Sequence, residues 1–107
     1  MVGEIIYAKP FIAQLDHLAK ILYLKKYFSY LKDIDTYIDK IYDFIESNIE
    51  YPISKNSPEP FRKFGERFLR YKANKQTTWY IFFDQKGNQF IVNHILNNHS
   101  QDFPELL

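Results

Sequence analysis

Apolar residues recur along this chain with two different periods, and the change from one to the other divides it. Phe11, Leu15, Leu18 and Leu22 fall at steps of four, three and four, the signature of one helical stripe. Pro10 stands just ahead of it and suits the first helical position, where its missing N–H costs nothing. Lys25 and Lys26 close that segment with cations suited to a helix C-terminus, and Ser29 can cap the next helix. There Leu31, Ile34, Ile38, Ile41 and Ile45 repeat at three, four, three and four, with Tyr37, Tyr42 and Phe44 widening the stripe. The short turn between the two stripes predicts an antiparallel helical hairpin.

Tyr51 to Pro60 contains Pro52, Pro58 and Pro60 among Ser54, Asn56 and Ser57, and reads as a loop. Beyond it the period becomes that of strands, expected at Arg67 to Ala73, Thr77 to Asp84 and Gln89 to Asn97. Asp84-Gln85-Lys86-Gly87-Asn88 supplies the hairpin turn between the last two, with Gly87 available for positive φ. The final strand is apolar on both faces, Phe90, Val92 and Leu96 on one and Ile91 and Ile95 on the other, which predicts an interior position. Glu4 to Ala8 has the residue types of a short opening strand. The order β-α-α-β-β-β predicts an α+β domain spanning residues 1–107, its helical hairpin packed on one face of a small, mainly antiparallel sheet.

Composition changes this picture in two places. At 107 residues there is one core to build. Ten Phe, nine Tyr and one Trp are more rings than so small a core fully buries, so some are expected at the surface, where Tyr and Trp favour partners. The net charge of +1 excludes a global basic field, so any phosphate-binding surface has to be local. The absence of Cys excludes disulfides and thiolate metal sites and fits a reducing compartment. No signal-peptide pattern opens the chain and no apolar run spans a bilayer, so a cytoplasmic protein without membrane contact is expected.

The chemistry on offer collects in the last third. Arg70 and Lys72 are two apart on an expected strand, so both point to one face and can hold a phosphate. Arg67, Lys75 and His94 extend the set of nucleic-acid-binding candidates. His94 and His99 titrate near neutrality and can move protons, while Tyr71 and Tyr80 offer hydroxyls or stacking surfaces. Each of these residue types also decorates ordinary solvated surfaces, so position must decide. The histidine spacing makes no metal site, and three glycines at 3, 65 and 87 make no phosphate loop. No cofactor is expected.

The segment Ile5-Ile6-Tyr7-Ala8-Lys9-Pro10-Phe11 resembles the opening strand and first helix of the RelE/ParE superfamily of bacterial toxins. Phe68-Leu69-Arg70-Tyr71-Lys72 is similar to that family's first strand after the helices, and Thr78-Trp79-Tyr80-Ile81-Phe82-Phe83-Asp84 to its "Tyr-Arg-apolar-apolar-Tyr" strand. His94-Ile95-Leu96-Asn97-Asn98-His99 to Asp102 stands where the family has a strand ending in a His-Gly-Arg-Arg-Asp type segment. The resemblance implies the toxin of a type II toxin–antitoxin or plasmid-stabilisation pair, a growth inhibitor silenced by a cognate antitoxin protein. Its target would be ribosome-associated mRNA, through metal-independent endoribonuclease chemistry, or DNA gyrase. It assigns Arg70, Lys72, Tyr80 and His99 as the catalytic candidates. Tyr80 stands where cleaving members carry an arginine on the scissile phosphate, and Asn98, His99 and Ser100 stand near a second. These departures favour the non-cleaving branch, and they also admit a degenerate, noncatalytic binding module.

Overall fold

The computed structural model describes residues 3–24, 31–50, 54–73, 75 and 77–98, without the side chains of 19, 22–24 and 31–34. Strand β1 (Glu4–Tyr7) leads into helix α1 (Lys9–Leu24), followed by α2 (Leu31–Asn48). Then come the two-residue strand β2 (Lys55–Asn56), a 3-10 turn at Glu59–Phe61, and strands β3 (Arg67–Lys72), β4 (Thr78–Lys86) and β5 (Gln89–Asn97). The order in the sheet is β1-β5-β4-β3-β2, with β1 parallel to β5 and every other pair antiparallel. The α+β class and the helical layer stand as expected, and β5 is interior. The loop expected from Tyr51 to Pro60 is corrected, because it contributes β2 and the start of the 3-10 turn. The Lys25–Lys26 and Ser29 helix-end assignments lie outside the described residues.

Both helices turn their periodic stripes to the sheet. Phe11, Leu15 and Leu18 of α1 and Ile41 and Ile45 of α2 are buried with Ile49 against Leu69, Trp79, Ile81, Phe83, Phe90, Val92 and Ile95. Leu22, Leu31 and Ile34, the remaining stripe residues, lie outside the described side chains. Trp79 is fully buried, and its indole N–H donates to the Tyr37 hydroxyl at 2.8 Å. Removing that acceptor strands a buried donor, at a cost of about 1–3 kcal/mol. Tyr37→Phe should therefore lower stability by about that amount in a denaturant melt, although it deletes a single oxygen.

The outward face of α2 is acidic. Asp35, Asp39, Asp43 and Glu46 are exposed, and at 3.6 residues per turn they fall within an arc of roughly 80°. Asp39 has a like charge four residues away on either side, which works against the helix by about 0.2–0.5 kcal/mol for each pair. Asp39→Lys converts both neighbours into opposite-charge pairs. It should raise the melting midpoint at low salt, with the gain shrinking as salt is added.

Among the described residues no α-helix covers the sheet's other face, which carries a second cluster. Phe61, Phe68, Tyr80, Phe82 and Leu96 are buried there, with Phe64 packed against them. The segment 57–66 closes on itself through Ser57 N–H donating to the Glu66 carbonyl at 2.8 Å, and it lays Phe61 over Phe82 with ring centroids 5.7 Å apart. The described aromatic rings are thus shared between two half-cores. Among the described residues the exposed large hydrophobics are Ile6 and Ile12 and no aromatic ring is exposed, while Tyr23, Tyr27, Phe28, Tyr30, Tyr51 and Phe103 lie outside the described side chains.

One irregularity sets the faces of β5. Phe82 pairs with His94 but Phe83 pairs with Val92, so Asn93 is an extra residue in the ladder. Beyond this bulge the alternation reverses. Phe90, Val92 and Ile95 join the helix-side core, and Leu96 joins the opposite cluster. That corrects the uninterrupted alternation expected from Phe90 to Leu96.

Candidate functional site

Residues that oppose one another across neighbouring strands share a face. Arg70 lies opposite Tyr80, and Lys72 opposite Thr78. All four therefore stand on the helix-free face, and they line an open recess of about 520 Å³. The reason is local: in β3 the residues Leu69 and Tyr71 turn to the helices, so Phe68, Arg70 and Lys72 must turn away. Arg70 and Lys72 are exposed, whereas Tyr80 beneath them is only 7% exposed.

The Tyr80 hydroxyl is held above its ordinary pKa by burial, against a smaller opposing pull from the Arg70 guanidinium. It is accordingly a neutral hydroxyl at physiological pH, able to donate to an anion but not to serve as a resting base. Two exposed cations above a buried phenol and a threonine hydroxyl make an arrangement suited to a phosphate or sulfate-like group. It offers charge for such a group from β3 and hydroxyl donors from the neighbouring β4.

The remaining sequence candidates fall in different places. Lys75 is exposed in the β3–β4 connection, which Ala73 N–H closes by donating to the Thr77 carbonyl at 3.0 Å. His94 is brought to the same face as Arg70 by the bulge, two strands across, and stacks on Phe64 with ring centroids 4.0 Å apart and planes at 11°. Arg67 is not brought there. It lies opposite Phe83, which faces the helices, and its guanidinium donates to the Ser54 hydroxyl at 2.7 Å, the Ser54 carbonyl at 2.8 Å and Asn56 Oδ1 at 3.2 Å. Those bonds tie β2 to β3, so its role is architectural. Tyr71 also faces the helices, its ring 4.7 Å from that of Phe44. His99, Ser100 and Asp102 lie outside the described residues.

Three further residues belong to this region. Thr78 is in the recess wall. Lys55 is exposed and opposite Phe68, which puts it on the same face one step along from Arg70. Asn98 continues the β4–β5 ladder with its side chain: Thr78 N–H donates to Asn98 Oδ1 at 3.0 Å, while Asn98 N–H donates to the Thr78 carbonyl at 3.1 Å. The period of two along β3 could have signalled the exclusion of Arg67. Nothing in the local sequence signals Lys55, whose position depends on the register of a two-residue strand.

Among the described residues no group of three or more His, Asp and Glu side chains is placed to hold a metal ion, and no helix is long and apolar enough to cross a membrane. No protein-family profile, characterised protein or solved structure matches the chain.

Proposed function

We propose that this chain is the toxin half of a type II toxin–antitoxin pair of RelE/ParE type, a cytoplasmic growth inhibitor neutralised by a cognate antitoxin protein. The observation that carries the reading is the recess of Arg70, Lys72, Thr78 and Tyr80, on the open face of a sheet whose other face is covered by the helical pair. Its target is mRNA on the ribosome, whose phosphates the recess would meet, or DNA gyrase. Arg70 and Lys72 hold phosphate, and the Tyr80 hydroxyl donates to it from below. In a cleaving mechanism, His99 supplies the proton transfer that neither cation can.

The order of the longer elements, β1-α1-α2-β3-β4-β5, is compatible with the β-α-α-β-β-β that the resemblance implies, with the two-residue β2 and the 3-10 turn intervening before β3. Growth after induced expression of the chain alone tests the reading, with total RNA sampled through the first minutes. Arrest with new mRNA ends bearing cyclic phosphate identifies a metal-independent endoribonuclease, and arrest with intact RNA directs attention to gyrase. Absence of arrest from a folded protein sinks the toxin reading.

A second reading is favoured by one specific observation. Tyr80, which on the resemblance stands where the family carries a phosphate-contacting arginine, is buried and neutral rather than cationic. A noncatalytic module that keeps the fold and its protein partner, but harms nothing, follows from that loss of charge.

A further inference from the structure

We propose that the outer edge of β1, which no described strand pairs with, pairs with the same edge of a second copy, joining two five-stranded sheets into one continuous sheet about a twofold axis at Ile6. β1 is the terminal strand of the sheet order. Glu4 N–H donates to the Asn88 carbonyl and Ala8 N–H to the Val92 carbonyl, both at 2.9 Å, so the even-numbered residues direct their backbone groups inward to β5. Alternation then turns the N–H and C=O of Ile5 and Tyr7 outward. Gly3 also faces outward, but its N–H is already given to the Glu50 carboxylate. Past Ala8 the chain enters α1 at Lys9 and is no longer extended. The pairing groups at this edge are therefore those of Ile5 and Tyr7, placed symmetrically about Ile6.

An antiparallel copy uses this pattern in one register. With Ile6 beside Ile6, each Ile5 exchanges both backbone bonds with the other copy's Tyr7, for four bonds in all. Sliding one way calls on the Gly3 N–H, which is engaged. Sliding the other way calls on Lys9, which is helical. The same register makes Ile6–Ile6 a non-hydrogen-bonded pair, whose Cα atoms approach to about 4.5 Å and whose side chains lie closest. Ile6 is 37% exposed, one of the two exposed large hydrophobics among the described residues.

Charge agrees with this choice of occupant. An antiparallel copy brings Glu4 of each chain alongside Ala8–Lys9 of the other, whereas a parallel copy would set like charges together. The strand is also held rigid from within, since the Tyr7 ring stacks on Phe11 at 5.6 Å and meets the Tyr42 edge at 4.9 Å. β1 is short and carries the charge of Glu4, but it has a central exposed apolar side chain and no proline, and the antiparallel register sets Glu4 beside Ala8–Lys9 of the other copy rather than against a like charge.

Sedimentation of the full chain from low to high micromolar concentration tests the proposal, alongside two substitutions at the exposed Ile6 position that leave the core untouched. The wild type should reversibly dimerise. Ile6→Lys places two cations at the twofold axis and should weaken self-association at least about tenfold, with an unchanged melting curve. The chain has no cysteine, so Ile6→Cys introduces a single thiol whose twofold partner is within disulfide reach. It should oxidise to a covalent dimer much faster than Ile12→Cys, although Ile12 is the more exposed at 43%. A monomer at all concentrations with equal crosslinking at both positions would overturn the proposal, as would a dimer indifferent to Ile6→Lys. Either would leave this edge to an extended segment of some other chain.

Discussion

If the chain acts as the proposed toxin, Arg70→Ala should abolish growth arrest on its expression while leaving its fold and melting temperature intact. Arg70 is exposed on the helix-free face, so its truncation removes no core contact, and a substitution of that kind usually changes stability by less than about 0.5 kcal/mol. Its functional effect has a different origin. A preorganised donor aimed at developing phosphorane charge is worth at least about a hundredfold in rate. In a binding role, the same guanidinium supplies a charge-assisted bond to phosphate. Lys72 lies two residues on along the same strand face and can hold charge nearby, but only as a point rather than a planar fork. Arg70→Lys should therefore retain only part of the activity, and Arg67→Ala should not reproduce the Arg70→Ala effect. The measurement is the growth rate after induction, with circular dichroism of each purified variant. Persistent arrest in a folded Arg70→Ala and Lys72→Ala double variant would remove this face from the mechanism.

A large loss of stability is expected from Gly65→Ala, which adds a single methyl group. A Cβ built on Gly65 meets the Phe83 backbone nitrogen at 2.6 Å and its carbonyl oxygen at 2.9 Å. Those atoms belong to an interior strand paired on both sides, so they cannot step back without breaking ladder bonds. Gly65 also has a φ of 158°, at the edge of a region that side chains disfavour. Together the clash and the backbone term amount to at least about 3 kcal/mol. Gly65 adjoins the turn that carries Phe61 and Phe64, so the damage has a direction: the turn lifts from Phe82 and the second apolar cluster opens. Denaturant melts of Gly65→Ala beside Gly87→Ala separate the two glycines. Gly87, at a φ of 60°, has open space around its Cβ position, so its substitution should cost only the turn's backbone preference of about 1 kcal/mol.

Much of the fold was legible because each helix announces its buried face by a repeated step. Phe11–Leu15–Leu18 and Ile41–Ile45 are buried where the spacing put them. The strands were legible for a similar reason, with ends displaced by only one or two residues. What escaped has no period to display. A two-residue strand such as Lys55–Asn56 carries no alternation, and its pairing with β3 arises from the Arg67 bonds to Ser54 and Asn56. The bulge at Asn93 escaped because the residues on either side of it are apolar in both phases, so the string reads equally well with or without a slip.

The candidate site was half legible. Two-residue periodicity placed Arg70 and Lys72 together, and the same rule, applied strictly, would have set Arg67 on the other face. Recognising Thr78 as a wall residue required knowing which strand residues oppose one another, and that is a property of the paired sheet rather than of either strand.

The acidic arc of α2 and the cations of Lys55, Arg70 and Lys72 lie on opposite sides of one sheet, so these exposed charges contribute a dipole across it while the net charge is only +1. Near a polyanion such a molecule feels little overall pull but a torque from that dipole. It turns before it docks, so that encounters are already oriented when the surfaces meet. Salt shortens the range of that alignment without changing which side leads.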